Sequence, residues 1–180
     1  MTPKNDPLEI LPVVDERGNV IDSAPRNVCH DGASRLLHPV VHLHVIDSSG
    51  RLLMQKRSLK KRIQPGRWDT AVGGHVDYGE TIHAALQREA LEEIGLNDTS
   101  GARLLARYVF ESNVERELVY CYMLNAPRDF EPTISEPDDI EALQYRRIED
   151  ILVNMDNGTL TPNFEQEFKK IIYPCLTGYE

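Results

Sequence analysis

The 180-residue chain has little cysteine, three residues in all. Cys29, Cys121 and Cys175 are scattered, odd in number and without C-x-x-C spacing, which excludes a disulfide framework and a zinc knuckle. Reduced thiols of this kind suit a cytoplasmic protein. Positive charge is also scarce: 20 Lys and Arg stand against 29 Asp and Glu, a net charge of −9. That balance speaks against nucleic acid or an anionic membrane as partner, since both are polyanions. Long apolar runs are missing, and the opening MTPKNDPLEI is polar, so neither a secretory signal nor a membrane span is expected. Internal repeats, low-complexity tracts and long linkers are absent as well. The remaining composition, 41% apolar and 27% charged, is that of a soluble globular protein with enough chain for one domain and a full core.

Along the chain, Leu8 to Val14, the turn cluster Asp15-Glu16-Arg17-Gly18-Asn19 and Val20-Ile21 predict an N-terminal hairpin. Strands are expected at Pro39–Ile46, Leu52–Lys56, Trp68–Val72, Leu104–Phe110, Leu118–Leu124 and Leu143–Ile148. Glu80–Ile94 is the clearest helix: Ile82, Ala85, Leu86, Ala90 and Ile94 recur at three- and four-residue spacings, and Gly95 stops it. From Ile148 to Cys175 one or two helices are expected, interrupted near Gly158–Pro162. Such an order suggests a mixed sheet sandwiched by helices, an α/β class.

That helix carries Arg88-Glu89-Ala90-Leu91-Glu92-Glu93. Helical geometry places Glu89, Glu92 and Glu93 on one face, where like charges repel by several tenths of about 1 kcal/mol per pair. Hard oxygen donors gathered in this way suit Mg²⁺ or Mn²⁺, although a solvated acidic face is the commoner meaning of such a string alone. The preceding loop changes the balance. Five residues separate Gly74 from Glu80, seven separate Glu80 from Arg88, and Gly95-Leu96 closes the stretch. The pattern resembles the Nudix box, G-x5-E-x7-R-E-U-x-E-E-x-G-U with U a bulky aliphatic. Gly74, Glu80, Arg88, Glu89, Glu92, Glu93 and Gly95 fill every fixed position, and Ala90 at the first U is the one soft departure.

The resemblance implies a Nudix α/β/α sandwich with a mixed sheet and a catalytic loop-helix. It divides 1–180, taken as a single Nudix domain, into a hairpin extension (1–35), a core (36–150) and a helical C-terminal segment (151–180). It further implies that Glu89, Glu92 and Glu93 ligate divalent metal with the backbone carbonyl of Gly73. Glu80 would lie in the loop and Arg88 would brace the glutamates by ion pairing. The expected activity is hydrolysis of a diphosphate linkage, with metal neutralising developing charge.

Beyond the box, His38 before an apolar strand, Gly50-Arg51-Leu52-Leu53, Gln55-Lys56-Arg57-Ser58, Lys61, Pro65-Gly66, Trp68, Cys29-His30 and Thr161-Pro162-Asn163-Phe164 look like the Nudix branch that contains type I isopentenyl-diphosphate isomerases. In that branch a metal is held by three histidines and two glutamates, matched here by His30, His38, His75, Glu115 and Glu117. Arg57 and Lys61 match the residues that grip the substrate diphosphate. The catalytic cysteine of the isomerases is replaced by Gly73, whereas the glutamate set they degrade is intact, which favours hydrolysis. His42 and His44, alternating along one strand, read as half-buried or surface residues, and His83 as surface. Glu117, Glu115 and Glu136, in that order, are the candidates for general base.

The sequence therefore points to a Mg²⁺- or Mn²⁺-dependent hydrolase of a nucleoside diphosphate or related diphosphate compound. An isopentenyl-diphosphate isomerase and a silent Nudix module that senses a phosphorylated ligand are the alternatives. Its partner is a small molecule, with no nucleic acid or membrane expected; a homodimer is permitted but not required.

Overall fold

The computed structural model describes residues 9–61 and 63–178. Leu8, the expected start of the hairpin, and Arg62, in the basic run before the box, lie outside these residues. The hairpin consists of β1 (Ile10–Val14) and β2 (Val20–Pro25), paired antiparallel, with a one-turn helix α1 (Arg26–Cys29) directly after it.

Seven further strands form one sheet: β3 (Leu37–Ile46), β4 (Leu52–Arg57), β5 (Trp68–Thr70), β6 (Val72–His75), β7 (Arg103–Glu111), β8 (Arg116–Asn125) and β9 (Ile140–Arg146). β3 runs parallel to β8 and antiparallel to β6, so the sheet is mixed. β3 and β4 share the single pair Ile46↔Leu52 and then part, β3 continuing along β6 and β4 along β5 and β9. The expected strand Trp68–Val72 is thus two short strands, and the last strand ends at Arg146 because Ile148 already opens α3 (Ile148–Val153).

Both faces of the sheet are covered. The apolar stripe of α2 (Ile82–Ile94), with Leu86, Ala90 and Ile94, packs on Val41, Leu43 and Val45 of β3. On the opposite face Leu52, Met54, Cys121 and Met123 meet Phe164, Phe168 and Ile172. These come from α4 (Pro162–Glu167) and a π-helical turn (Phe168–Ile172) that leads into α5 (Tyr173–Thr177). Double coverage explains why β3 is buried from Leu37 to Val45 rather than on alternate residues. It also corrects the reading of His42 and His44, which are 8% and 0% exposed: the face they share lies beneath α4.

α2 begins two residues later than expected. Thr81 caps it by accepting from the Ala84 N–H, which leaves Glu80 in the preceding turn. Gly95 ends it at φ 72°, its N–H returning to Ala90 and Leu91. A Cβ at this position would collide with Thr133 Oγ1 as well as strain the backbone. Gly95→Ala is expected to lower stability by about 1–3 kcal/mol, measured by urea denaturation.

Candidate active site

Gly73 and Gly74 sit on β6 opposite His42 and Val41 of β3, beneath the glutamate face of α2. A Cβ on Gly74 would occupy the position of the Glu89 carboxylate, so the first glycine of the box is the space in which Glu89 lies. Arg88 fixes this arrangement. Its guanidinium donates to both carboxylate oxygens of Glu80 (3.0 and 2.8 Å), to Glu89 Oε1 (2.7 Å) and to the carbonyl of His75 (3.0 Å). Glu93 accepts from the Gly73 N–H (2.9 Å) and from Gln55 Nε2 (3.0 Å).

Glu89 and Glu93 are buried and line a cleft; Glu92 stands outside its lining, partly exposed, with Arg88 NH1 at 3.5 Å. Glu80 is also outside the lining, held by Arg88 and by the Asp77 N–H. The repeated acidic string thus resolves into two cleft carboxylates, one edge carboxylate and one brace.

Across the cleft, His30, His38, His75 and Glu117 each offer a donor atom, all within 4.8 Å of one another. Parallel pairing sets His38 of β3 beside Glu117 of β8. The Nδ1–H of His30 donates to the Arg26 carbonyl (2.8 Å) and that of His38 to the Leu36 carbonyl (3.1 Å). Both Nε2 lone pairs are therefore turned inward, the orientation a metal-ligating imidazole needs. His38 Nε2 is buried without a hydrogen-bond partner among the described residues, and His30 Nε2 lies 3.2 Å from His75 Nε2 and 3.5 Å from Glu115. Burial, helped by the neighbouring His30, lowers the His38 pKa to about 4; burial and Arg26 hold His75 well below its ordinary value. His38 and His75, kept neutral, are the imidazole form that fits a cation. Glu117 is raised to about 8, by burial first and by Glu115 second, and Glu115 is raised by burial.

Seven carboxylates (Glu9, Asp69, Glu89, Glu93, Glu115, Glu117 and Asp139) line the cleft against four fixed cations (Arg26, Arg57, Lys61 and Arg88). An anionic substrate cannot enter that field without added positive charge. Arg57 and Lys61 both line the cleft, each already paired, Arg57 with Asp69 (3.3 Å) and Lys61 with Asp139 (2.9 Å). Glu136 is not part of the cleft lining, and Tyr78 and His83 are exposed.

Several groups escaped the sequence reading. Gln55 orients Glu93, and Glu9 of the hairpin reaches the cleft and pairs with Arg26 (2.9 Å). Glu167, fully enclosed, accepts from His42 Nδ1 (3.1 Å), His44 Nε2 (2.5 Å) and Tyr108 OH (2.6 Å). The alternating histidines were the visible half of this cluster. Its carboxylate lies more than a hundred positions downstream, so no local spacing could reveal it.

A model of the NUDIX domain matches residues 36–169. The chain belongs to the Nudix hydrolase family. An uncharacterized Nudix hydrolase of Yersinia pestis is 30% identical over 91% of this chain and 92% of its own length. The crystal structure of DR0079 from Deinococcus radiodurans, 29% identical, superposes with a TM-score of 0.75 over 90% of this chain and 98% of that one. The isomerase-like branch of the Nudix family fits too. An isopentenyl-diphosphate Delta-isomerase of Mycolicibacterium vanbaalenii is 35% identical over 54% of this chain, which spans only 53% of the isomerase. Nudix enzymes use divalent metals, in keeping with the acidic cleft.

The buried His42–Glu167 pair has a pH signature. Burial alone would lower the His42 pKa, but the Glu167 charge and hydrogen bond outweigh it and raise the value from 6.5 to about 9. Glu167 is held well below 4.5, its burial outweighed by His42 and His44. The His42 contribution is complete below pH 6.5 and is lost as pH rises through 9; that of Glu167 is complete above 4.5 and is lost in acid. Glu117, raised to about 8, also favours the folded state less as pH rises through that value. Metal-free protein is expected to melt at falling temperature from pH 6.5 towards 9, and His42→Gln to flatten the upper part of that decline, measured by calorimetry.

Proposed function

We propose that this Nudix hydrolase cleaves the phosphoric anhydride of a nucleoside diphosphate or related diphosphate compound with Mg²⁺ or Mn²⁺. The observation that carries the reading is the pair Glu89 and Glu93. Both are buried, both are oriented by dedicated partners, and both open onto a cleft with an excess of carboxylates. Burying two carboxylates side by side is costly without compensating positive charge, part of which Arg88 supplies to Glu89.

Glu89, Glu92 and Glu93 with the Gly73 carbonyl would hold one divalent ion, and His30, His38, His75, Glu115 and Glu117 a second. Bound metal would neutralise charge on the phosphoryl oxygens and supply acidified water. Arg57 and Lys61 bind the diphosphate after exchanging Asp69 and Asp139 for its oxygens. Arg88 and Glu80 are positioning residues that keep Glu89 in the space left by Gly74. With a cation bound beside it, Glu117 would be ionised and would accept the proton of the attacking water as the new P–O bond forms; the bridging P–O bond then breaks and the phosphate-bearing leaving group departs with the bonding electrons.

Isomerisation of isopentenyl diphosphate is disfavoured by the same cleft. Gly73 stands at the isomerase cysteine position, and no cysteine lines the cleft among the described residues. Cys29 and Cys121 are buried, and burial pushes the Cys29 thiol up to about 11, away from the nucleophilic thiolate.

A panel of nucleoside diphosphates, dinucleotides and isopentenyl diphosphate, assayed for monophosphate products and for isomerisation, tests the proposal. Metal-dependent release without isomerisation is expected. Tight binding with no release from any compound would instead identify a sensing module. Glu93→Gln should lower turnover by at least about a hundredfold with an unchanged circular dichroism spectrum; near-normal activity would sink the assignment. His38→Ala should remove one bound metal and leave the helix-bound one, read by equilibrium dialysis with Mn²⁺. Unaltered stoichiometry would reject the histidine site.

A further inference from the structure

Asn163, at the second position of α4, belongs to the cleft lining. It is a neutral amide among carboxylates and fixed cations, and the cleavage chemistry proposed above gives it no task. Its carboxamide meets the Tyr108 phenol at 3.1 Å. Asn163 is half-buried, and the other end of its carboxamide has no partner among the described residues. That end stays open to solvent, unlike the closed-off His38 Nε2 and His44 Nδ1. One end of the amide is tied down and the other is free.

The available protons decide which end is which. A phenol has one proton, and a carboxylate at neutral pH has none. Tyr108 gives its proton to Glu167 at 2.6 Å, a charge-assisted hydrogen bond and the shorter of its two contacts. Glu167 also accepts from His42 and His44, so it has no proton to return. Nothing is left to bridge the phenol oxygen to Asn163 Oδ1, and two lone pairs would face each other there. A half-turn of the carboxamide exchanges its oxygen and nitrogen at the same two places and removes the conflict. Nδ2–H then donates to the phenol oxygen, and Oδ1 takes the open end.

The start of α4 is also tied to the phosphate-binding side of the cleft. Thr161, which caps this helix, donates through Oγ1 to Asp69 (2.9 Å), the carboxylate paired with Arg57. A carbonyl oxygen two residues further on has a definite preference. The oxygens of an ionised diphosphate are acceptors and repel it, whereas a hydroxyl donates to it.

We propose that Asn163 is a specificity-determining residue: its Oδ1 accepts from a hydroxyl of the organic group joined to the diphosphate, the ribose of a nucleoside diphosphate. Tyr108 and Glu167 are positioning residues that keep this oxygen turned to the cleft. The role rests on the diphosphate reading above and narrows it. An isopentenyl chain has no hydroxyl to offer and would leave Oδ1 desolvated and unpaired.

The test compares kcat/KM for a set of ribonucleoside diphosphates with that for their dideoxy counterparts, in Mg²⁺ and in Mn²⁺. The wild-type chain should favour the ribose form by about ten- to a hundredfold. Asn163→Leu should abolish the preference, and Asn163→Ala, which adds no bulk, should do the same. Tyr108→Phe, which frees the carboxamide to turn, should weaken it. The ratio does not depend on how much of a variant is folded. A wild-type chain without the preference, or Asn163 variants that slow both reactions and keep the ratio, would overturn this inference and leave the hydrolase reading standing. Cleavage of diphosphates that lack a hydroxyl in place of the nucleotides would do so too. A preference untouched by Tyr108→Phe would overturn the positioning of Asn163 through Glu167. Failure of the wild-type chain to cleave any diphosphate would overturn both readings.

Discussion

The site depends on the Arg88 guanidinium. One planar fork joins the turn that carries Glu80, the strand end at His75 and the helix residue Glu89. Without it, Glu80 and Glu89 would both lose the cation that joins them. Arginine suits the task because its donors are coplanar and permanently charged, so one side chain satisfies several acceptors with a single geometry. The glycines complete the constraint. Gly74 has no side chain because Glu89 occupies that volume, and Gly73 brings its N–H to Glu93.

The remaining elements place other chemistry around this clamp. β3 is the central piece, pairing with β8 on one side and β6 on the other. Its odd-numbered residues anchor α2, while Val40 and His42, on the opposite face, line the cleft. The early separation of β3 from β4 opens the sheet, which lets Gln55 reach Glu93 and lets Thr161 Oγ1 donate to Asp69 (2.9 Å). The C-terminal segment is tied to β5 through Trp68, whose backbone bonds to Thr159 and Thr161 fix the start of α4 and hence the position of Glu167.

The legible part of the molecule was the part encoded locally. Residues 74–96 carry turn, cap, helix and ligand spacing within a single run, so α2 and its glutamates could be read from their pattern, apart from the two-residue shift at Thr81. β3 and much of β4 were legible because both faces are apolar. For the same reason their partners were not: a strand buried on both sides gives no alternation that points to the covering element. His42 and His44 were misjudged on this account, since α4, which covers them, is distant in sequence. Glu92 looked equivalent to Glu89 and Glu93 on a helical wheel, but the cleft runs beside positions four apart, which leaves Glu92 at its edge. Pairing of Arg57 and Lys61 with Asp69 and Asp139 depends on β4–β5 register and on the approach to β9, neither of which a basic run announces.

Those two aspartates have a kinetic meaning. An anion that binds Arg57 and Lys61 displaces carboxylates that remain tethered a few ångströms away, and a tethered competitor acts at an effective concentration of about the millimolar range. A ligand with two linked phosphoryl groups would engage both cations at once and so could outcompete the pair. A single phosphate, left after the linkage is cut, meets each aspartate alone and is readily replaced. On the diphosphate reading, the resident ion pairs would act as a built-in eluent, clearing the cleft of a single phosphate while yielding to a linked pair.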